Sequence, residues 1–182
     1  AAHVPVVVDA GALPVLARAS GRVPPFVVLT PHAGELAGLL VARGIDVDRD
    51  AVEAEPLRWA RVAHEATRAT VLLKGAVTVV VGPGGAYSQA EAPPWLATAG
   101  AGDVLAGVLG ALLAGRAGDV AGDPDLPARL AAVAASVCGR AARAASGGGP
   151  IVASDVAQAV PSTVAGLLGQ GLHHPDGEWG RR

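Results

Sequence analysis

The sequence predicts a layered α/β domain on a largely parallel sheet, and three observations predict it. Short β-branched runs alternate with stretches of helical periodicity. The 182 residues are 51% hydrophobic and 16% charged, enough apolar chain for one well-filled core. The residues suited to chemistry cluster just after the strand-like runs, where open α/β sheets place their ligand sites.

In chain order, Val4 to Asp9 reads as a first strand and Leu13 to Arg18 as a weak helical turn. Phe26 to Thr30 (FVVLT) is a second strand, entered through Pro24-Pro25. Gly34 to Arg43 carries Leu36, Leu39 and Leu40 at helical spacing and stops at Gly44. A charged stretch then leads into a helix over Leu57 to Thr67, with Trp59, Val62, Ala63 and Ala66 on one face. Thr70 to Leu73 and Thr78 to Gly82 are β-rich runs only a few residues apart. Gly82-Pro83-Gly84-Gly85 is a turn, and Ala86 to Gln89 its hairpin return. Helices are predicted over Asp103 to Leu113, Arg129 to Ala145 and Ser154 to Leu168, the last capped by Ser154-Asp155. Residues 1–168 are expected to belong to one domain, with 169–182 a mobile tail.

Composition excludes several classes. Fourteen basic and sixteen acidic residues give a net charge of −2, and no Lys or Arg run tracks a phosphate backbone, so no nucleic-acid partner is expected. No apolar stretch reaches the length of a membrane span and the N-terminus lacks a signal-peptide layout, so neither a membrane partner nor export is expected and the location is read as cytoplasmic. The single cysteine, Cys138, suits a reducing compartment and reads as a small core residue. His3, His64 and the pair His173-His174 lack ligand-type partners at metal-binding spacing, so no metal ligand is assigned. With no methionine in the chain, residue 1 is not expected to be a translation start, and the chain is expected to be a piece of a longer product. Lys74 is the one Lys beside thirteen Arg.

Three loops carry the candidate chemistry. Ala97 to Gly107 (ATAGAGDVLAG) runs from small residues straight into a helix. Backbone N–H groups of Gly100, Ala101 and Gly102 can form an anion hole, and Asp103 falls in the first helical turn, where the dipole favours negative charge. An anion hole beside a carboxylate suits phosphoryl transfer: the N–H groups hold the phosphoryl while the carboxylate takes a proton from the attacking hydroxyl. The alternative is a Gly-rich turn with Asp103 as a helix-start residue; no Walker loop occurs. Val71 to Val81 (VLLKGAVTVVV) delivers Lys74 to a sharp turn, with Thr78 opening the return strand, which suits nucleotide contacts or else a β-turn with a solvated Lys. In Thr30 to Leu36 (TPHAGEL), His32 is a substrate contact, or else Thr30 or His32 lies near a cap and Glu35 serves the helix dipole. Trp95 is a lid or packing residue.

In this order, VDAGAL, TPHAGEL, KGAVT and ATAGAGDVLAGVLGALLA resemble the C-terminal two-thirds of ADP-dependent NAD(P)H-hydrate dehydratases, repair enzymes of the ribokinase-like fold, over roughly residues 4–168. The resemblance implies a three-layer α/β/α architecture with a mainly parallel central sheet, lacking the N-terminal part of the domain. It implies dehydration of the (S)-hydrates of NADH and NADPH, coupled to conversion of ADP to AMP and phosphate. By motif position, Asp103 is the base at the substrate hydroxyl and itself contacts the hydrate. Lys74, Gly75, Ala76, Val77, Thr78 and Gly102 contact the adenine nucleotide. His32 contacts the hydrated dinucleotide, and Glu35 and Asp9 are supporting candidates. ADP is the co-substrate, Mg²⁺ accompanies it, and a homo-oligomer and an NAD(P)H-hydrate epimerase domain, fused or separate, are the partners implied.

Two positions depart from the family pattern. Gly11 stands where a second acid is usual, and Ala101 replaces a hydroxyl residue, removing a phosphate contact worth on the order of 1 kcal/mol. The upstream half of the domain is also absent, which predicts an exposed sheet edge. Two other functions fit the same residues. One is a ribokinase-like small-molecule kinase of the vitamin-precursor type, against which the TPHAGEL loop speaks. The other is a non-catalytic nucleotide-binding module.

Overall fold

The computed structural model describes residues 4–18, 23–24 and 26–171. His3, His173 and His174 lie outside the described residues, as does residues 172–182 of the expected tail.

Strands β1 (Val6–Val8), β2 (Val27–Leu29), β3 (Thr70–Leu73), β4 (Thr78–Gly82) and β5 (Gly85–Gln89) form one sheet in sequential order. β1, β2 and β3 are parallel, with Val7 opposite Val28 and Leu29 opposite Val71. β3, β4 and β5 are antiparallel, with Leu72 opposite Val80 and Val80 opposite Tyr87. Among the described strands the sheet is therefore mixed and evenly divided, where a mainly parallel one was expected. Loop length is the reason: residues 74–77 alone join β3 to β4, and a parallel return needs a crossover of a dozen or so residues.

Helices α1 (Leu13–Arg18), α2 (Ala33–Val41), α3 (Arg49–Ala54) and α4 (Pro56–Thr67) precede β3; α5 (Ala101–Gly115), α6 (Ala117–Val120), α7 (Leu126–Ser146) and α8 (Ala153–Gly171) follow β5. Strand alternation assigns the layers. Val27, Leu29, Val71, Leu73, Val79 and Val81 face a core completed by Leu36, Leu39 and Leu40 of α2 and Ala60 and Ala63 of α4. Val28, Leu72 and Val80 point the other way, into a core with Leu105, Leu109 and Leu113 of α5 and Ala131 and Ala134 of α7. β2, β3 and β4 are buried on both faces and so read as continuous apolar runs, each wholly buried Leu or Val adding about 1.5–3 kcal/mol. The result is a three-layer α/β/α arrangement. α8 lies outside it on α7, where Ile151 and Val156 meet Ala141 and Ala142.

Three boundaries differ from expectation. The charged stretch holds α3, capped by Asp48, whose Oδ1 accepts from the Ala51 N–H at 2.8 Å. Only Val52 of α3 is buried, so it leaves almost no periodic signal. α5 starts at Ala101, inside the small-residue loop. α8 starts at Ala153, so the expected Ser154-Asp155 cap is corrected: Asp155, third in the helix, reaches back to accept from the Val152 N–H at 2.9 Å. α8 also runs through Gly171, past the expected tail boundary. Among the described strands β1 is a sheet edge, with Val4 and Val6 exposed.

Candidate active site

The carboxyl ends of the three parallel strands carry the chemistry-bearing residues into one corner. After β1 the backbone turns sharply at Ala10 (φ 46°), leaving Asp9 at the strand end. After β2, the Thr30 N–H donates to Val8 O at 3.1 Å, and the Pro31 carbonyl accepts from the Lys74 N–H at 2.8 Å. His32 and Lys74 form an isolated parallel bridge, which extends the β2–β3 pairing into the loops.

His32 is the N-cap of α2. Its Nδ1 accepts from the Glu35 N–H at 3.2 Å, while Glu35 Oε2 accepts from the His32 N–H at 2.8 Å. This reciprocal capping box fixes both side chains. It also assigns the imidazole tautomer: Nδ1 is the acceptor, so Nε2 carries the proton. The ring itself is 58% exposed. The capping reading of this loop therefore holds, and it leaves the imidazole edge open to a ligand.

Lys74 Nζ donates to Asp9 Oδ1 at 2.8 Å and lies 3.9 Å from Glu35 Oε2. All three side chains are largely buried, at 23%, 16% and 22% exposure. The same ammonium approaches the start of α5: a Cβ on Gly102 would lie 3.4 Å from Nζ and 3.8 Å from Asp9 Oδ2. A cation at a helix N-terminus is opposed by the dipole, and the two carboxylates offset that cost. Gly100, the N-cap of α5, has φ 85°, a left-handed conformation that favours glycine. The Ala101 N–H donates to Thr98 O and the Asp103 N–H to Gly100 O, so both are engaged in the turn. Asp103 is exposed in the first turn.

Two cavities flank the β3–β4 turn. One of about 530 Å³ lies toward α5 and α7, and one of about 580 Å³ lies toward α3. His32, Lys74, Gly75 and Ala76 line both. Thr78, Ala101 and Gly102 line only the first; Val77 and Arg49 line only the second. The predicted nucleotide segment thus divides between two openings.

The first cavity is completed by residues that sequence reasoning did not single out as site residues: Gln89, Pro93, Pro94 and Leu96 from the segment after β5, and Ala135 of α7. The Pro93-Pro94-Trp95 run directly ahead of the Gly loop was the one available signal. Trp95 itself ties this segment down, its indole N–H donating to Gly148 O at 3.2 Å. Cys138 also lines this cavity, with its thiol pushed up to about 11 by burial, consistent with an inert core residue. His64 is occupied structurally, its Nδ1 2.7 Å from Ala69 O. Among the described residues no group of three or more His, Cys, Asp or Glu is placed to hold a metal ion, and no helix is long and apolar enough to cross a membrane.

A family model described as NAD(P)H-hydrate dehydratase matches residues 1–161. The chain belongs to the NAD(P)H-hydrate dehydratase family. Within that family, the bifunctional NAD(P)H-hydrate repair enzyme Nnr of Moorella thermoacetica is 37% identical over 170 residues, 91% of this chain and 30% of its own length. The ADP-dependent (S)-NAD(P)H-hydrate dehydratase of Xanthomonas campestris is 45% identical over 106 residues, 57% of this chain and 34% of its own. A solved structure of the ADP/ATP-dependent NAD(P)H-hydrate dehydratase of Bacillus subtilis, co-crystallised with ATP/Mg²⁺ and soaked with CoA, aligns with a TM-score of 0.70 at 25% identity, covering 88% of this chain and 56% of that one. A ribokinase-like superfamily protein of Enterococcus faecalis shares the fold, with a TM-score of 0.66 at 19% identity. The chain spans about half the length of these solved structures and about a third of the two curated relatives.

Proposed function

We propose that these residues form the nucleotide side of an ADP-dependent (S)-NAD(P)H-hydrate dehydratase. The observation that carries the reading is the meeting of Lys74 with the start of α5 at Gly102, one residue before Asp103. A fixed ammonium and a helix N-terminus together suit the phosphates of a nucleotide, and the apolar cavity beside them suits its base.

In this reading ADP lies in the first cavity with its phosphates toward Lys74 and Gly102. Asp103 accepts the proton of the ring hydroxyl as that oxygen attacks the β-phosphorus; the bond to the bridging oxygen breaks and AMP leaves. The phosphorylated hydrate then expels phosphate, pushed by the ring nitrogen lone pair, and loss of a proton from the neighbouring carbon to the departing phosphate or to water restores the ring double bond of the reduced nicotinamide. His32 contacts the dinucleotide through its exposed ring edge, where Nε2 also lies 3.6 Å from Glu35 Oε1. Lys74 neutralises phosphate charge, and Asp9 and Glu35 hold it in place between turnovers.

The acid set fits a Mg²⁺ that arrives with the nucleotide, since such ions take one or two carboxylates plus phosphate oxygens. Asp9, whose Oδ2 would lie 3.8 Å from a Cβ on Gly102, is the carboxylate that would hold such an ion, which would supply charge neutralisation there. Assembly into a homo-oligomer and cooperation with an NAD(P)H-hydrate epimerase domain, fused or separate, complete the proposal, as does a cytoplasmic location.

The test incubates the chain, alone and joined to any upstream coding sequence, with NADH hydrate, Mg²⁺ and ADP. Return of the reduced-nicotinamide absorbance with AMP and phosphate in step supports the reading. A stable phosphate ester made from ATP and an alcohol replaces it with a small-molecule kinase, and nucleotide binding with no turnover in either form leaves a binding module.

A further inference from the structure

We infer that Glu91 is a positioning residue for the nucleobase: it holds the segment from Gln89 to Thr98 as a preformed roof over the first cavity. The inference rests on the nucleotide reading above.

Gln89, Ala92, Pro93, Pro94, Leu96 and Thr98 all line that cavity, so the segment is one of its walls along most of its length. Apart from the 3₁₀ turn Pro94–Leu96 it has no regular structure, and it follows β5, an exposed edge strand. A segment with so little ladder bonding needs another anchor, and Glu91 supplies it. The Glu91 carboxylate accepts from Arg140 through both Nε and Nη2, each at 2.9 Å, and from Ser136 Oγ at 2.9 Å. Its backbone carbonyl accepts the Arg143 fork, at 2.9 Å from Nε and 2.5 Å from Nη2. Three successive turns of α7 thus grip one residue, and fork-on-carboxylate contacts fix orientation as well as distance.

The grip reaches the cavity by two routes. The Glu91 N–H donates to Gln89 Oε1 at 2.8 Å, which sets the Gln89 amide and leaves its NH2 as the donor available to a ligand. Ala92 follows directly, and it sits so close to α7 that a Cβ on Gly139 would lie 3.2 Å from its N and from Gln89 Oε1. Glu91 itself lines neither cavity; it acts through Gln89 and the residues after it. A roof held in its bound position costs no ordering when the base arrives, which favours affinity for the base end of the ligand and leaves the phosphate end, at Lys74 and Gly102, unaffected.

The experiment measures displacement of a fluorescent ADP by ADP, by adenosine and by pyrophosphate, in the wild type, Glu91→Ala and Gly139→Ala. Amide exchange is followed across residues 89–98. Gly139→Ala attacks the roof from the helix side, and alanine favours the helix, so it gives a second variant whose own element stays intact. The expected result is about a tenfold loss of ADP and adenosine affinity in both variants, pyrophosphate within about twofold, and faster exchange in the roof. Unchanged adenosine affinity in Glu91→Ala overturns the role. So does an equal loss for adenosine and pyrophosphate, which marks general loosening. A wild type that binds no adenine nucleotide removes the nucleotide reading and this inference with it.

Discussion

The two cavities beside the β3–β4 turn share His32, Lys74, Gly75 and Ala76, and they are of similar volume, yet their remaining walls make them chemically different. The larger ends on α3, where the Arg49 guanidinium is committed to Glu53 at 2.7 Å on a solvent-exposed face. The smaller ends on the N-terminus of α5 and is roofed by a segment pinned to α7. The shared turn therefore does not decide which opening takes a nucleotide. Both openings are bordered by helix starts, Gly102 of α5 in the first and Ala33, Arg49 and Pro56 of α2, α3 and α4 in the second, so the proposed preference for the first rests on the Lys74 ammonium beside Gly102 and on the pinned segment over that opening.

The comparison breaks most visibly at Asp103. Asp103→Asn in the active protein is expected to lower turnover by about 10²-fold or more while ADP affinity stays within about threefold, since general-base contributions are of that size. Full turnover in that variant, read as recovered nicotinamide absorbance, removes the base assignment and with it the special status of the α5 side. Lys74→Gln is next. Loss of a charge-assisted phosphate contact predicts a fall in ADP affinity of roughly 10–100-fold, with adenosine much less affected. An adenosine loss as large as the ADP loss would show the ammonium acting on the cavity as a whole.

A matched pair of bulky substitutions then asks which opening is used. Ala97 lines only the first cavity and Val77 only the second, and both are exposed, so either can change without disturbing the core. Ala97→Trp should weaken ADP binding about tenfold and Val77→Trp less than about twofold by titration calorimetry. The reverse order would move the nucleotide to the α3 side and include Val77 in its site.

The smallest effect concerns the roof. The Arg140 hydrogen bond, then that of Ser136, holds the Glu91 carboxyl below its ordinary range. A carboxyl lowered on folding contributes stability above its unfolded value, about pH 4.3, and loses it as pH falls through the folded value. The melting difference between wild type and Glu91→Gln should therefore be flat from neutral pH to about 5 and close below about 4. Because the pair is exposed to solvent, it is worth less than about 1 kcal/mol. A difference that persists unchanged into acid would mean the carboxylate charge does not hold the roof.

How far each part could be read in advance follows the range of the forces involved. β3 and β4 match their expected limits residue for residue, because tight turns and continuous β-branched runs bound them locally. The Gly loop and its Asp103 were also legible, since a left-handed Gly100 before a helix is a local requirement. α3 was not, because a short polar helix with one buried side chain has no periodicity to detect. Gln89, Glu91, Arg140 and Arg143 carried no signal at all: each is an ordinary surface residue until the segment after β5 folds back on α7, some fifty positions on.

By itself the sequence determined the alternation of strands and helices, the hairpin after Gly82, and the three loops with their candidate residues. Hydrophobic period and turn chemistry are properties of neighbouring residues, and so are written in consecutive letters. Tertiary structure alone decided that Lys74 is held by Asp9 at the start of α5, that the segment after β5 is pinned to α7, and that one turn serves two cavities. Those are contacts between residues far apart in the chain, and what fixes them is the burial of two sheet faces at once, a sum over the whole molecule that no single segment contains.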